Sequence, residues 1–166
     1  CSQIHTDRKN ESGIDKPEMN IHEAVLSGNL EVVKQHIKAG TNINEKEPMS
    51  GSTPLVSAAT FGKTDIAKAL IDAGAGLTTS NNDGTTPLHS AAFFCRVKIV
   101  QLLIDANADK TLRNKFGATP RETVMGPFPE IKPIYEMLQQ QLGPLGMQLD
   151  MARLEKARPV IAMMLQ

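Results

Sequence analysis

The sequence predicts an all-α fold: a solenoid of about four helix–turn–helix units, closed at its C-terminal end by a helical segment. A repeat supports this prediction most directly. Thr53-Pro54-Leu55 recurs as Thr86-Pro87-Leu88 and, weakened, as Thr119-Pro120-Arg121, each time 33 residues later. A fixed period of this length is typical of a solenoid that stacks one supersecondary unit. The composition agrees, since 40% of the residues are apolar and only 4% are aromatic, which favours small and aliphatic side chains between closely packed helices.

Within each unit, local residues indicate where the helices begin and end. Thr at the N-cap and Pro at the first helical position predict the start of an inner helix. An outer helix with apolar residues at helical spacing follows, over residues 30–39, 65–73 and 98–106. Gly40, Gly74 and Asn107 then supply the left-handed residue at its end. Asn82-Asp83-Gly84 predicts a tight turn at the tip that joins two units.

The repeat divides the chain into three parts. Residues 1–18 are polar and predict a flexible leader. Residues 19–146 form the repeat domain, with units at about 19–48, 49–81, 82–114 and 115–142; the first is one residue out of register, which places an extra residue in loop 45–51. Residues 147–166 predict a capping helical segment. We expect the outer helix of the fourth unit to start near Pro133, and Pro159 to break or restart the cap helix after Arg158.

Six of the eight Met residues lie after residue 120. Methionine fills irregular gaps in a core, so we interpret these residues as part of the cap. An adaptable binding groove is the alternative interpretation.

The third unit resembles an ankyrin repeat most closely, in residues 83–92 (DGTTPLHSAA) and 99–104 (IVQLLI). The resemblance implies a hand-like array that binds another protein. It also implies that His89 is structural and hydrogen-bonded to the neighbouring backbone and the Thr hydroxyl. His22 holds nearly the same register in the first unit, and we expect His36 to be exposed on an outer helix. Cys95 stands where the family usually has Gly.

By analogy with the family, the binding residues lie at the tips and on the inner helices, which form the palm of the hand. The predicted tip residues are Glu45, Lys46, Met49, Asn82, Asp83, Lys115 and Phe116, and the predicted palm residues are Leu26, Thr60, Phe61, Phe93 and Phe94. Four of the five Phe residues fall in this set. Because aromatic anchors dominate binding hot spots, we expect them to form the functional surface, although one of Phe93 and Phe94 is expected to tuck between repeats.

The sequence offers little chemistry beyond binding. Eighteen basic residues balance eighteen acidic ones, so nothing attracts nucleic acid over long range. No nucleotide-binding or hydrolase motif is visible, and we expect no cofactor, no metal and no enzyme activity. The remote alternative is a thiol-dependent enzyme through Cys95, whose pKa neighbouring Arg96 and Lys98 would lower; a small buried residue at an inter-helix turn is the plainer interpretation.

The first residues, Cys1-Ser2-Gln3 before a polar leader, resemble the mature end of a bacterial lipoprotein. This resemblance implies lipidation of Cys1 and a place in the periplasm or cell envelope; otherwise we expect a cytoplasmic protein. We predict a monomer whose partner is another protein and whose contact with a membrane is made only through Cys1. The alternative function is a structural or inhibitory subunit of a permanent assembly.

Overall fold

The computed structural model describes residues 15–166, and helices dominate this part of the chain. Three helix pairs follow one another: α1 (Ile21–Ser27) with α2 (Leu30–Lys38), α3 (Pro54–Phe61) with α4 (Thr64–Asp72), and α5 (Pro87–Phe93) with α6 (Val97–Asp105). The inner helices α1, α3 and α5 pack side by side, and α2, α4 and α6 form a second row behind them. This arrangement confirms the predicted all-α solenoid.

The helices begin and end where their local residues require. The Oγ1 atom of Thr53 accepts a hydrogen bond from the amide of Val56 at 3.2 Å, and Pro54 follows as the first helical residue. Gly62 ends α3 with a φ of 71°, a left-handed conformation that glycine adopts without steric cost. The next unit repeats this start at Thr86 and Pro87. Local sequence therefore sets these boundaries.

Small residues allow the rows to approach closely. The pairs Ala58-Ala59 and Ala91-Ala92 are fully buried between neighbouring inner helices. The larger aliphatic side chains of the outer helices, such as Leu70 and Leu103, fill the space behind them. Burial of such side chains is the main favourable contribution to folding.

The fourth unit departs from the repeat. Only a single 3₁₀ turn, Glu122–Val124, packs beside α5 where an inner helix would lie. Helix α7 (Phe128–Leu142) follows as an insertion, and α8 (Met151–Met164) packs against α6 in the place of an outer helix. Val124, Ile161, Ala162 and Leu165 complete the core at this end.

Two expectations about proline were wrong. Helix α7 begins at Phe128 rather than near Pro133, and α8 continues through Pro159 without a break. Pro159 is exposed, whereas Arg158 and Ile161 on either side of it are buried. The lost backbone hydrogen bond therefore lies on the solvent side, where water can replace it, while packing of the inward face holds the helix together.

His36 was predicted to be exposed and is instead buried. Its Nε2 donates to the carbonyl of Met19 at 2.8 Å, and its Nδ1 accepts from the hydroxyl of Thr41 at 2.8 Å. In the repeat register His36 corresponds to Leu70 and Leu103, which are buried core residues. At the first unit this core position faces the segment before α1, so a polar side chain finds hydrogen-bond partners there.

None of the helices that the structure describes is long and apolar enough to span a bilayer.

Candidate functional site

The tips between units are tight turns held by an asparagine. At the second tip the amide of Asn81 donates to the carbonyl of Thr85 at 3.0 Å. The Oδ1 atom of Asn81 accepts from the amides of Asp83 and Thr85 at 2.9 and 3.0 Å. Asn114 makes the same contacts at the third tip, with the amides of Phe116 and Ala118. Each tip is therefore fixed by its own sequence.

The first tip uses a glutamate for the same purpose. Glu47 pairs with Ser52 through the backbone at 3.0 Å, which makes this turn one residue longer than the turn from Asn81 to Thr85. The predicted extra residue of loop 45–51 is thus confirmed. The longer Glu47 carboxylate accepts from the amides of Met49 and Ser50 at 2.8 and 2.6 Å. Sequence reasoning missed Glu47, although the one-residue offset of the first unit aligns it with Asn81.

Neighbouring tips are joined by backbone hydrogen bonds into one surface. The amide of Asn82 donates to the carbonyl of Ser50 at 2.9 Å, and the amide of Lys115 donates to that of Asp83 at 2.9 Å. Two large apolar side chains lie at the ends of this surface, Met49 at 90% exposure and Phe116 at 81%. We call the surface the tip row; its exposed residues are Glu45, Lys46, Met49, Asn82, Asp83, Lys115 and Phe116.

The palm residues are less accessible than the tips. Leu26, Thr60 and Phe61 are half-buried on α1 and α3. Phe94 is only 8% exposed, so it is the member of the Phe93–Phe94 pair that tucks between repeats, and it offers a partner little surface although it was among the predicted binding residues. Phe93 lies under Tyr135 of α7, with ring centroids 4.6 Å apart. The inserted helix thus packs on one face of the Phe93 ring in the palm of the third unit.

His89 links the third unit to the tip that follows. Its Nδ1 accepts from the hydroxyl of Thr86 at 2.7 Å and from the amide of Thr86 at 3.3 Å. Its Nε2 therefore carries the proton and donates to the carbonyl of Ala118 at 2.8 Å. Burial lowers the pKa of His89, since a charged ring would be poorly solvated there. The predicted structural role of His89 is confirmed.

The repeat pattern and the tip geometry agree with a family comparison. The family model for ankyrin repeats (3 copies) matches residues 21–114, which include α1 to α6. The chain belongs to the ankyrin-repeat family. Membership makes its array a protein-interaction module, as the sequence predicted.

Three curated relatives match part of this chain. Protein phosphatase 1 regulatory subunit 27 of Homo sapiens is 48% identical over 63 residues, which are 38% of this chain and 40% of the relative, and that of Mus musculus matches equally. The human DNA-binding protein RFXANK is 33% identical over 57 residues, which are 34% of this chain and 22% of the relative. The matched segment thus spans less than half of each relative.

Cys95 ends α5 at the position of Gly28 and Gly62, with a φ of 57° that is unusual for a residue other than glycine. Burial raises the pKa of its thiol to about 11, and the charges of Arg158 and Arg96 lower it only in part. The raised pKa supports the plainer interpretation of Cys95, a small residue packed at an inter-helix turn, over the remote alternative of a reactive thiol. The thiol is protonated at neutral pH and is therefore a poor nucleophile.

Alkylation of Cys95 by iodoacetamide should therefore be slow in the folded ankyrin array. We expect a rate at pH 7 at least about a hundredfold below that of the urea-unfolded chain, because a pKa about 2 units above 9.0 leaves that much less thiolate. Peptide mass spectrometry would follow Cys95 separately from Cys1. Equal rates in the two states would contradict the burial of this thiol.

A buried guanidinium, also missed by sequence reasoning, holds the end of the array together. Arg158 of α8 is 3% exposed and donates to the hydroxyl of Tyr135 at 2.8 Å and the carbonyl of Thr123 at 3.2 Å. The Tyr135 hydroxyl in turn donates to the carbonyl of Phe93 at the end of α5, at 2.5 Å. Burial raises the pKa of Tyr135 to about 12. These contacts join α5, α7 and α8.

The described residues, 15–166, hold no group of three or more His, Cys, Asp or Glu side chains that could bind a metal ion.

Glu47 makes the first tip sensitive to acid. Desolvation raises the pKa of Glu47, but the hydrogen bonds from the Ser50 side chain and from the amides of Met49, Ser50 and Ser52 lower it more, to about 2. The folded-state pKa lies below the ordinary 4.5, so the stabilisation is complete above pH 4.5 and is lost as the pH falls towards 2. We expect the ionised Glu47 to contribute about 1 kcal/mol to the free energy of unfolding, which is the size typical of exposed hydrogen bonds to a charged group.

Glu47→Gln should remove this contribution at pH 7 and flatten the loss of stability between pH 4.5 and 2. Urea unfolding at several pH values would measure both effects. Glu45→Gln is the matched control, because Glu45 is exposed on the same tip. Equal pH dependence of the two variants would contradict the role of Glu47.

Proposed function

We propose that this chain is a non-catalytic module that binds another protein through the tip row, with the half-buried palm residues Leu26, Thr60 and Phe61 at the edge of the contact. One observation supports this proposal above the others: Met49 and Phe116 are 90% and 81% exposed. Methionine and aromatic side chains are enriched at the centres of protein interfaces, and their burial against a partner favours association.

The tip row also has the anatomy of a binding surface. Between its apolar ends it presents the polar side chains of Asn82, Asp83 and Lys115. Backbone hydrogen bonds between tips hold it in place before binding, which reduces the conformational entropy lost on association. Phe94 is buried and Tyr135 stacks on one face of Phe93, so the palm aromatics of the third unit offer a partner less surface than the tips do.

The name of one relative gives a first partner to test. It describes that protein as a regulatory subunit of protein phosphatase 1. Since 63 residues are 48% identical, we propose a phosphatase catalytic subunit as the first purified partner. Binding to nucleic acid is not proposed for this chain, which has a formal net charge of zero.

The test compares the wild-type chain with Met49→Ser/Phe116→Ser by calorimetry against that purified subunit and by capture from cell extract. Both replaced residues are exposed, so the variant should keep the wild-type melting temperature. Ile134→Ser/Met137→Ser is the matched control, because these α7 residues are 42% and 44% exposed. We expect the tip variant to bind its partner at least about tenfold more weakly than wild type, and the control variant to bind with the wild-type affinity.

Two results would count against the proposal. Partners that bind wild type and both variants equally would show that the tip row is not the contact. A partner that stays bound in fixed stoichiometry through purification would instead support the alternative, a subunit of a permanent assembly. Sedimentation of the chain alone would test the predicted monomer.

Lipidation of Cys1 stays a separate proposal, because Cys1 lies outside the described residues. The relatives are human and mouse proteins, so a bacterial source gains no support from them. The intact mass of the protein isolated from its source would show whether acyl chains are attached.

A further inference from the structure

The outward face of α8 combines basic and apolar side chains. Arg153, Lys156, Val160 and Met163 follow one another at intervals of three, four and three residues, which places them on one side of the helix. Val160 and Met163 are 43% and 65% exposed. Arg158 lies on the opposite, buried side. The helix that closes the array therefore leaves an amphipathic face in solvent.

A shallow depression lies along this face. It is open to solvent and is lined by Asp150, Ala152, Arg153, Lys156, Ala157 and Val160. Asp150 is the only acidic residue in this lining, and its Oδ1 already accepts from the amide of Arg153 as the N-cap of α8. The small alanines leave room between the two cations.

The arginines at this end of the molecule form no ion pair within the described residues, although Asp150 and Glu155 are exposed next to Arg153 and Lys156 in the sequence. The ion pairs formed within residues 15–166 are Lys68–Asp72, Arg113–Glu122 and Lys132–Glu136, and none includes Arg96, Arg153 or Arg158. Arg96 donates to the carbonyl of Thr60 at 2.9 Å, but its Nε atom is buried without a partner. Burial lowers the pKa of Arg96; the nearby Cys95 raises it in part, and the charge of Arg153 lowers it. An anionic group at Arg153 would offset this repulsion.

We propose that this face of α8 binds an acidic segment of a protein partner, with carboxylates against Arg153 and Lys156 and apolar side chains over Val160 and Met163. Charge complementarity with the exposed Arg153 and Lys156 is the argument for an acidic segment as the occupant. The proposal rests on the proposed protein-binding function but uses a surface separate from the tip row.

The test uses a fluorescent polyglutamate peptide that carries two leucines one helical turn apart. Its anisotropy is titrated with wild type, with Arg153→Glu/Lys156→Glu, and with Lys34→Glu/Lys98→Glu. The last variant has the same net charge, and its replaced residues are exposed on α2 and α6. We expect the α8 variant to bind at least about tenfold more weakly than the control variant, and high salt to weaken wild-type binding.

Several results would overturn this proposal. They are no binding of the peptide to wild type, equal binding by the two charge variants, or stronger binding to phosphatidylserine vesicles than to the peptide. A wild-type dimer that Val160→Ser/Met163→Ser dissociates would show that a second copy occupies the face. Met49→Ser/Phe116→Ser should keep peptide binding, so failure of the tip row and failure of this surface are distinguishable.

Discussion

Replacing Tyr135 with Ala is expected to lower the free energy of unfolding by about 3–5 kcal/mol, the range for removing a buried aromatic side chain. Tyr135 is fully buried and stacks on Phe93, with ring centroids 4.6 Å apart. Its hydroxyl also accepts from Arg158 at 2.8 Å. The change therefore opens a cavity and removes one of the few oxygens that solvate a buried cation.

Tyr135→Phe separates the two contributions. It keeps the stacked ring but leaves the carbonyl of Phe93 and the guanidinium of Arg158 short of a partner, for an expected loss of about 1–3 kcal/mol. Urea unfolding followed by circular dichroism would measure both variants. If Tyr135→Ala cost less than about 1 kcal/mol, α7 would not be holding the end of the array.

Replacing His89 with Ala is expected to lower the free energy of unfolding by about 2–3 kcal/mol. The ring is 2% exposed and bonds Thr86 on one side and the carbonyl of Ala118 on the other. Its loss leaves a cavity and removes a link between the third unit and the next tip. His22→Ala is the matched control, because both ring nitrogens of His22 are buried without a hydrogen-bond partner. Urea unfolding should show a smaller loss, or a gain, for the control.

His89 also gives this prediction a pH dependence. Burial lowers its pKa in the folded state from the ordinary 6.5. The unfolded chain therefore takes up the proton more readily, and the stability that depends on neutral His89 is lost as the pH falls below about 6.5. His89→Ala should remove this part of the pH dependence. If wild type and His89→Ala lost stability in parallel below pH 6.5, the pH dependence would not come from His89.

Much of the candidate surface could be predicted from the sequence. Repetition of Thr-Pro-Leu fixed the register, and the register placed Met49, Asn82 and Phe116 at tips where the structure finds them exposed. The same register also predicts the burial of His36 and the role of Glu47 in the first tip. It aligned His36 with the core position of Leu70, and Glu47 with Asn81.

By itself, the sequence determined the all-α repeat, the caps of its helices and the place of its tips. Thr53, Gly62 and Asn81 act on backbone groups within a few residues, so local sequence is sufficient for them. Only the tertiary structure decided that Tyr135 packs on one face of Phe93, that Arg158 is buried and that α8 takes the place of an outer helix. Those outcomes depend on contacts between distant residues, such as the hydroxyl of Tyr135 and the carbonyl of Phe93, which are 42 positions apart. No local pattern encodes such a contact, because it forms only once the units have stacked.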